Sequence, residues 1–169
     1  HYKMDRIRKF MTEFQWDIVL VSETNMAWHN RAFQDRPMEV MREWWERHNV
    51  VTGYYKKYES LTAWQPGGTA IITTDQLTSR MMEQGQDKLG LGRWTWVRFR
   101  GKENTFLRVV SAYRPVENKR DPLSTYNQQK SYFEGQGLTR CPRKAFVQDL
   151  VVEMTKWQET DQIILALDN

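Results

Sequence analysis

Residues 16–24, Trp-Asp-Ile-Val-Leu-Val-Ser-Glu-Thr, constrain the fold of this chain more than any other stretch. Ile18, Val19, Leu20 and Val21 run unbroken into a polar turn that contains a carboxylate. Strict alternation would mark a strand with one wet face, whereas an unbroken run marks a strand covered on both faces. In α/β proteins such strands deliver their chemistry at the carboxyl end, which makes Glu23 the first candidate functional residue. The pattern recurs at residues 161–169, Asp-Gln-Ile-Ile-Leu-Ala-Leu-Asp-Asn, with Asp161 opening the apolar run and Asp168 closing it. An amphipathic helix candidate precedes each run, so two helix-strand-carboxylate units bring Glu23 and Asp168 to one edge of the fold. The plain alternative is that both acids are solvated turn residues, since Asp and Glu favour turns and the surface.

A length of 169 residues fits a single domain with a sizeable core, and 40% hydrophobic with 13% aromatic residues argues against disorder. The formal charge of +4 suits a polyanionic partner and equally suits ordinary solubility. Cys141 is the sole cysteine, so no internal disulfide forms and a cytosolic or nuclear setting is expected. No apolar run approaches the roughly 20 residues needed to span a bilayer, and no signal-peptide pattern opens the chain. The sequence starts inside a helical pattern and stops directly after Asp168, which reads as a piece of a longer protein.

In chain order, Ile7, Phe10, Met11 and Phe14 at i, i+3, i+4, i+7 predict a helix packing one face on a sheet. The loop after Glu23 holds Asn25, Trp28 and His29 in reach of the strand end, His29 reading as a surface residue without metal-ligand spacing. Asp35 with Pro37 predicts a helix start, and Met38, Met41, Trp44, Trp45 and His48 trace its apolar stripe. Residues 50–58 predict a strand in which Tyr54, Tyr55 and Tyr58 alternate with Lys56 and Lys57, a pattern shared by base-stacking surfaces and edge strands. Gln65-Pro66-Gly67-Gly68 is a turn before a short strand at 69–74; the phosphate-loop frame is absent. Residues 75–92 are polar, with room for one helical turn. Residues 93–100 and 104–113 predict a hairpin ending in Ser-Ala-Tyr-Arg-Pro. Asp121-Pro122 and Pro142 open two further helices, the second carrying Val147, Leu150, Val151 and Met154 on one face, before a last strand at 162–167. This order predicts an α/β fold with mixed sheets.

Glu23 in Val-Ser-Glu-Thr, Gly67-Gly68 before an Ala-Ile-Ile strand, Tyr113 in Ser-Ala-Tyr-Arg-Pro and Asp168 after Ile-Ile-Leu-Ala-Leu occur in the order and approximate spacing of one superfamily. The chain resembles the endonuclease/exonuclease/phosphatase proteins of deoxyribonuclease-I-like fold. The Gly-Leu-Gly-Arg-Trp span at 90–94 and the stretch Cys141-Pro142-Arg143 to Asp149 look most like endonuclease domains of non-LTR retrotransposons. The resemblance implies a four-layered α/β sandwich, two facing mixed sheets flanked by helices, with the site at one end.

Phosphodiester hydrolysis uses a hard divalent cation on oxygen ligands, and the resemblance implies that Glu23 holds Mg²⁺ or Mn²⁺. It makes Asp168 the acid that orients or deprotonates the attacking water, and Tyr113 a hydroxyl donor to the scissile phosphate. Read without the family, Tyr113 is a tyrosine capping a strand. Arg114, Asn25, Arg93 and Asn169 are the candidate substrate-binding residues, on a rim shared with Tyr54, Lys56 and Arg120. The family also has a metal-proximal asparagine on an earlier strand, an asparagine two residues past the aspartate, and a later histidine with an aspartate partner. Residues 1–169 lack these, so the domain is expected to be incomplete and inactive alone. The expected function is a metal-dependent DNA endonuclease of a retrotransposon polyprotein, intracellular and nuclear, with DNA and a linked reverse transcriptase as partners. A phosphoesterase acting on a lipid or inositol phosphate, or a non-catalytic binding module, are the alternatives, and the presence of Glu23, Tyr113 and Asp168 together counts against the module.

Overall fold

The computed structural model describes residues 2–57, 62–118 and 120–169, without the side chains of 2–4 and 31–37. The chain runs α1 (Tyr2–Glu13), β1 (Ile18–Ser22), α2 (Arg31–Trp44), β2 (His48–Gly53), β3 (Thr69–Thr74), α3 (Asp75–Thr78), β4 (Met81–Gln86), β5 (Trp94–Arg100), β6 (Phe106–Tyr113), α4 (Thr125–Gly135), α5 (Pro142–Trp157) and β7 (Gln162–Asp168). The strands form two sheets, in the orders β1-β3-β2 and β4-β5-β6-β7. The first is antiparallel throughout, and the second is antiparallel except where β7 joins β6 in parallel. A parallel step needs a long crossover, which α4 and α5 supply.

Alternation along the strands sorts their side chains into three apolar layers. Between the sheets, Ile18, Leu20, Val51 and Ile71 meet Val97, Phe99, Leu107 and Val109. On the outer face of the first sheet, Val19, Val50 and Ile72 lie under Met11 of α1 and Met41 and Trp44 of α2. On the outer face of the second, Trp94, Val110, Ala112, Ile163 and Leu165 lie under Phe146, Leu150, Met154 and Trp157 of α5. The layers stack helix, sheet, sheet, helix, which is the four-layered sandwich expected. Ile71 is wholly buried between the sheets, so its truncation to alanine costs about 2–5 kcal/mol.

Several sequence expectations shift. The helix placed at Asp35–Pro37 begins at Arg31, and His48 belongs to β2 instead of continuing the α2 stripe. The strand expected over 50–58 ends at Gly53; Tyr55 makes only an isolated bridge to Leu91, and Tyr58 lies outside the described residues. In α1, Ile7 and Met11 face the core, but Phe10 and Phe14 are exposed and stack with Trp16 past the helix end. In α5 the buried positions are Ala145, Phe146 and Leu150, while Val147 and Val151 face outward. The polar span after residue 75 holds a whole edge strand, β4, as well as the short α3.

The start of β7 is fixed by charge. Asp161, its side chain fully buried, receives Arg98 at 2.9 Å and Arg108 at 2.8 Å. The Arg108 guanidinium lies over the rings of Trp96 and Trp157, at 4.1 and 4.8 Å from their centroids. Burial raises the Asp161 carboxyl, and hydrogen bonds from Arg98, Thr160 and Arg108 outweigh it, holding the group below the usual aspartate value.

Candidate active site

Three strands end together at one end of the sandwich. The parallel register of β6 and β7 sets Tyr113 opposite Asp168. β1 comes from the other sheet, and two hydroxyls tie it across the gap: Ser111 Oγ donates to the Val21 carbonyl at 3.2 Å, and Ser22 Oγ donates to Asp168 Oδ2 at 2.8 Å.

Glu23 follows β1 on a turn of unusual backbone, with positive φ at Glu23 (47°) and Asn25 (51°). A left-handed conformation at two non-glycine residues persists only where neighbours hold it. Here the glycine pair does so. Thr24 N–H donates to the Gly68 carbonyl at 3.2 Å, Asn25 N–H to the Gly67 carbonyl at 2.9 Å, and Gly67 N–H back to Asn25 Oδ1 at 2.9 Å. Gly68 has φ +84°, and a Cβ there would lie 2.7 Å from Thr24 Oγ1. Gly67-Gly68 is therefore the clamp that aims the Glu23 turn.

Tyr113 points into this end from the inner face of β6. Burial, its hydrogen bond to the Glu23 carboxylate and the nearby Asp168 charge push its hydroxyl far above the ordinary tyrosine value, against an opposing contact with the Val116 backbone. The hydroxyl thus stays a proton donor at any physiological pH. Arg114 begins the next loop; its backbone N–H donates to the Asp168 carbonyl at 2.9 Å and its guanidinium to Asn169 Oδ1 at 2.7 Å.

The structure brings Glu23, Tyr113, Asp168, Arg114 and Asn169 together and takes Arg93 away. Arg93 is fully buried, with its guanidinium on Asp87 at 2.6 Å and on Asp149 at 2.7 Å, so it has no face left for a substrate. Asn25, in the same turn as Glu23, uses its Oδ1 to accept the Gly67 N–H and so helps to shape the turn. His29, expected on the surface, is half-buried and meets Gln65 at 3.3 Å.

Two residues at this end went unread in the sequence. Ser22 was hidden by its neighbour Glu23. Arg143 sits in the first turn of α5, and a helix that feeds a strand through a short turn runs antiparallel to it. Its start therefore lies beside the strand's end, a signal that topology carries and residue spacing does not. Arg143 donates to the Pro115 carbonyl at 3.0 Å and to Asn169 Oδ1 at 3.4 Å.

Among the described residues no three His, Cys, Asp or Glu side chains gather as a metal cluster. The available donors are nonetheless hard oxygens, from the exposed Glu23 carboxylate and from Asp168. Such a set fits Mg²⁺, which keeps several waters and takes one or two protein carboxylates. No helix among the described residues is long and apolar enough to cross a membrane.

No protein-family model and no curated protein matches the sequence. Solved structures do. An AP endonuclease from Archaeoglobus fulgidus is similar over 98% of this chain and 51% of its own, at 13% identity and a TM-score of 0.49. Truncated TDP2 from Caenorhabditis elegans is similar over 99% of this chain and 54% of its own, at 12% identity and a TM-score of 0.47. An endonuclease/exonuclease/phosphatase family protein from Leptotrichia buccalis is similar over 79% of this chain and 56% of its own, at 11% identity and a TM-score of 0.46. The chain spans about half the length of these structures.

Proposed function

We propose that this chain carries part of the active site of a metal-dependent phosphodiesterase that acts on DNA. The observation behind this reading is the convergence at one end of the sandwich of Glu23, just after β1, with Tyr113 and Asp168, which face each other across β6 and β7; Tyr113 hydrogen-bonds Glu23, and Ser22 hydrogen-bonds Asp168. Glu23 would hold a Mg²⁺ or Mn²⁺ ion, with Asp168 as a further carboxylate at the same end of the sandwich. When bound, the metal would act as a Lewis acid on a phosphoryl oxygen. Asp168, oriented by Ser22, accepts the proton of an attacking water. Tyr113, kept protonated by its surroundings, donates to the oxygens on which charge builds. Arg114 holds the substrate beside them through its phosphates.

The finer reading is an endonuclease domain of a retrotransposon polyprotein, working in the nucleus beside a reverse transcriptase. It is supported by the two stretches that resemble such domains, which meet in the fold through the Arg93–Asp149 ion pair.

Calorimetric titration with Mg²⁺ and duplex-DNA binding across a salt series test the proposal. Glu23→Gln should weaken metal binding at least about tenfold, and DNA affinity should fall steeply with salt. Asp168→Asn should abolish nicking, in whatever length of chain supports it, and leave DNA binding nearly intact. Identical metal binding in Glu23→Gln removes Glu23 from the metal site, and a flat salt response points away from nucleic acid.

A further inference from the structure

We infer that Arg143, on the first turn of α5, joins Arg114 in a two-guanidinium clamp for a DNA backbone phosphate next to the one attacked. The inference rests on the phosphodiesterase reading above and adds a residue and a subsite to it. The two guanidiniums come from different elements and converge on one atom, Asn169 Oδ1, at 2.7 Å from Arg114 and 3.4 Å from Arg143. That shared acceptor is a neutral amide oxygen.

The other described arginines that are not solvent-exposed are paired differently. Arg93, Arg98, Arg108 and Arg140 each face a carboxylate within 3 Å. Among the described residues no carboxylate pairs with Arg114 or Arg143, and Arg114 Nε is buried with no acceptor. Two positive charges held together with only an amide between them repel, and the arrangement lacks an anion.

A phosphodiester supplies what is lacking. It accepts charge-assisted hydrogen bonds from two planar forks at once, which an amide oxygen cannot match. Position sets which phosphate it is. Arg114 is tied through its own N–H to the Asp168 carbonyl, and Arg143 braces the Pro115 carbonyl just after it, so the clamp is rigidly indexed to the catalytic aspartate. It would hold the strand in register while Tyr113 and Asp168 face the neighbouring phosphate.

The test is fluorescence anisotropy of a labelled duplex with the 169-residue chain over a salt series without divalent metal. Wild type, Arg114→Gln, Arg143→Gln, Arg143→Lys and Lys102→Gln would be compared, Lys102 being exposed on the β5–β6 loop at the opposite end of the sandwich. Each glutamine variant at the clamp should lower the slope of log K against log salt by about one, Arg143→Lys should keep it, and Lys102→Gln should match wild type. Thermal melting run in parallel identifies misfolded variants, and Arg114→Gln decides the matter if Arg143→Gln unfolds. A folded Arg143→Gln with the wild-type slope, or with weaker binding at an unchanged slope, overturns the clamp and leaves the phosphodiesterase reading standing. A wild type that binds DNA without salt dependence overturns that reading itself.

Discussion

Ser22 and Asp168 stand 146 residues apart and in different sheets, yet the serine hydroxyl donates to the aspartate carboxylate at 2.8 Å. The contact fixes the direction in which Asp168 presents its other oxygen.

On the phosphodiesterase reading, and in whatever length of chain supports nicking, Ser22→Ala should slow single-turnover cleavage about tenfold with little change in melting temperature. One hydrogen bond is worth about 1 kcal/mol, and this one orients the carboxylate proposed to accept the water's proton, at a solvent-exposed position. A melting temperature that falls along with the rate would make Ser22 a clip between sheets and nothing more.

Tyr113 gives the alkaline limb of stability a definite sign. Below about pH 10 the hydroxyl is protonated in both folded and unfolded chains. Above it the unfolded chain releases the proton while the folded chain, whose value is raised, retains it. Unfolding is therefore favoured as pH rises. Urea midpoints between about pH 9 and about pH 11 should fall more steeply for wild type than for Tyr113→Phe, which has nothing to ionise. Parallel curves would show that Tyr113 titrates as an ordinary exposed tyrosine.

Asp161 contributes to the acid limb with the opposite sign. Its folded value is depressed, so its contribution is present above the ordinary carboxylate range and drains away as pH falls toward the folded value. Asp161→Asn should cost about 3–5 kcal/mol at neutral pH, because Arg98 and Arg108 lose their shared partner, and should lose less than wild type on acidification. Equal acid sensitivity in the two proteins would assign that limb to other carboxylates.

Gly68→Ala should cost more than about 1 kcal/mol in chemical denaturation, since alanine neither tolerates φ +84° nor fits 2.7 Å from Thr24 Oγ1. It should also displace Glu23, so metal affinity should drop even where the variant is fully folded. Unchanged metal affinity would separate the glycine pair from the site.

The sequence showed its centre more clearly than its margins. β1 and β7 were legible because their apolar runs are unbroken, and α5 because Pro142 marks its first turn; the burial on both faces that such runs suggest is not met in β7, an edge strand that leaves Ile164 and Leu167 exposed. β4 escaped notice because Met82, Glu83 and Gln84 in its middle are exposed, so no apolar run or alternation marks it. Phe10 and Phe14 misled because helical spacing shows which residues share a face, not whether another element covers it. At the candidate site, Glu23 and Asp168 were singled out from strand ends and Tyr113 from the resemblance, and the fold brings the three to one end. Arg93 looked like a rim residue because nothing local announces a pair with Asp149, 56 positions away. Ser22 and Arg143 depend on the docking of one sheet on the other and on the direction of a helix, both set by the tertiary fold.

The bond between Ser22 and Asp168 also orders events in time. Each sheet completes its ladders internally, so hairpins such as β5–β6 can form early, while bringing residues 22 and 168 together closes nearly the whole chain. A molecule with both sheets formed but not yet docked would hold every one of these side chains and no assembled site. The arrangement at this end of the sandwich is thereby withheld until the two sheets have docked.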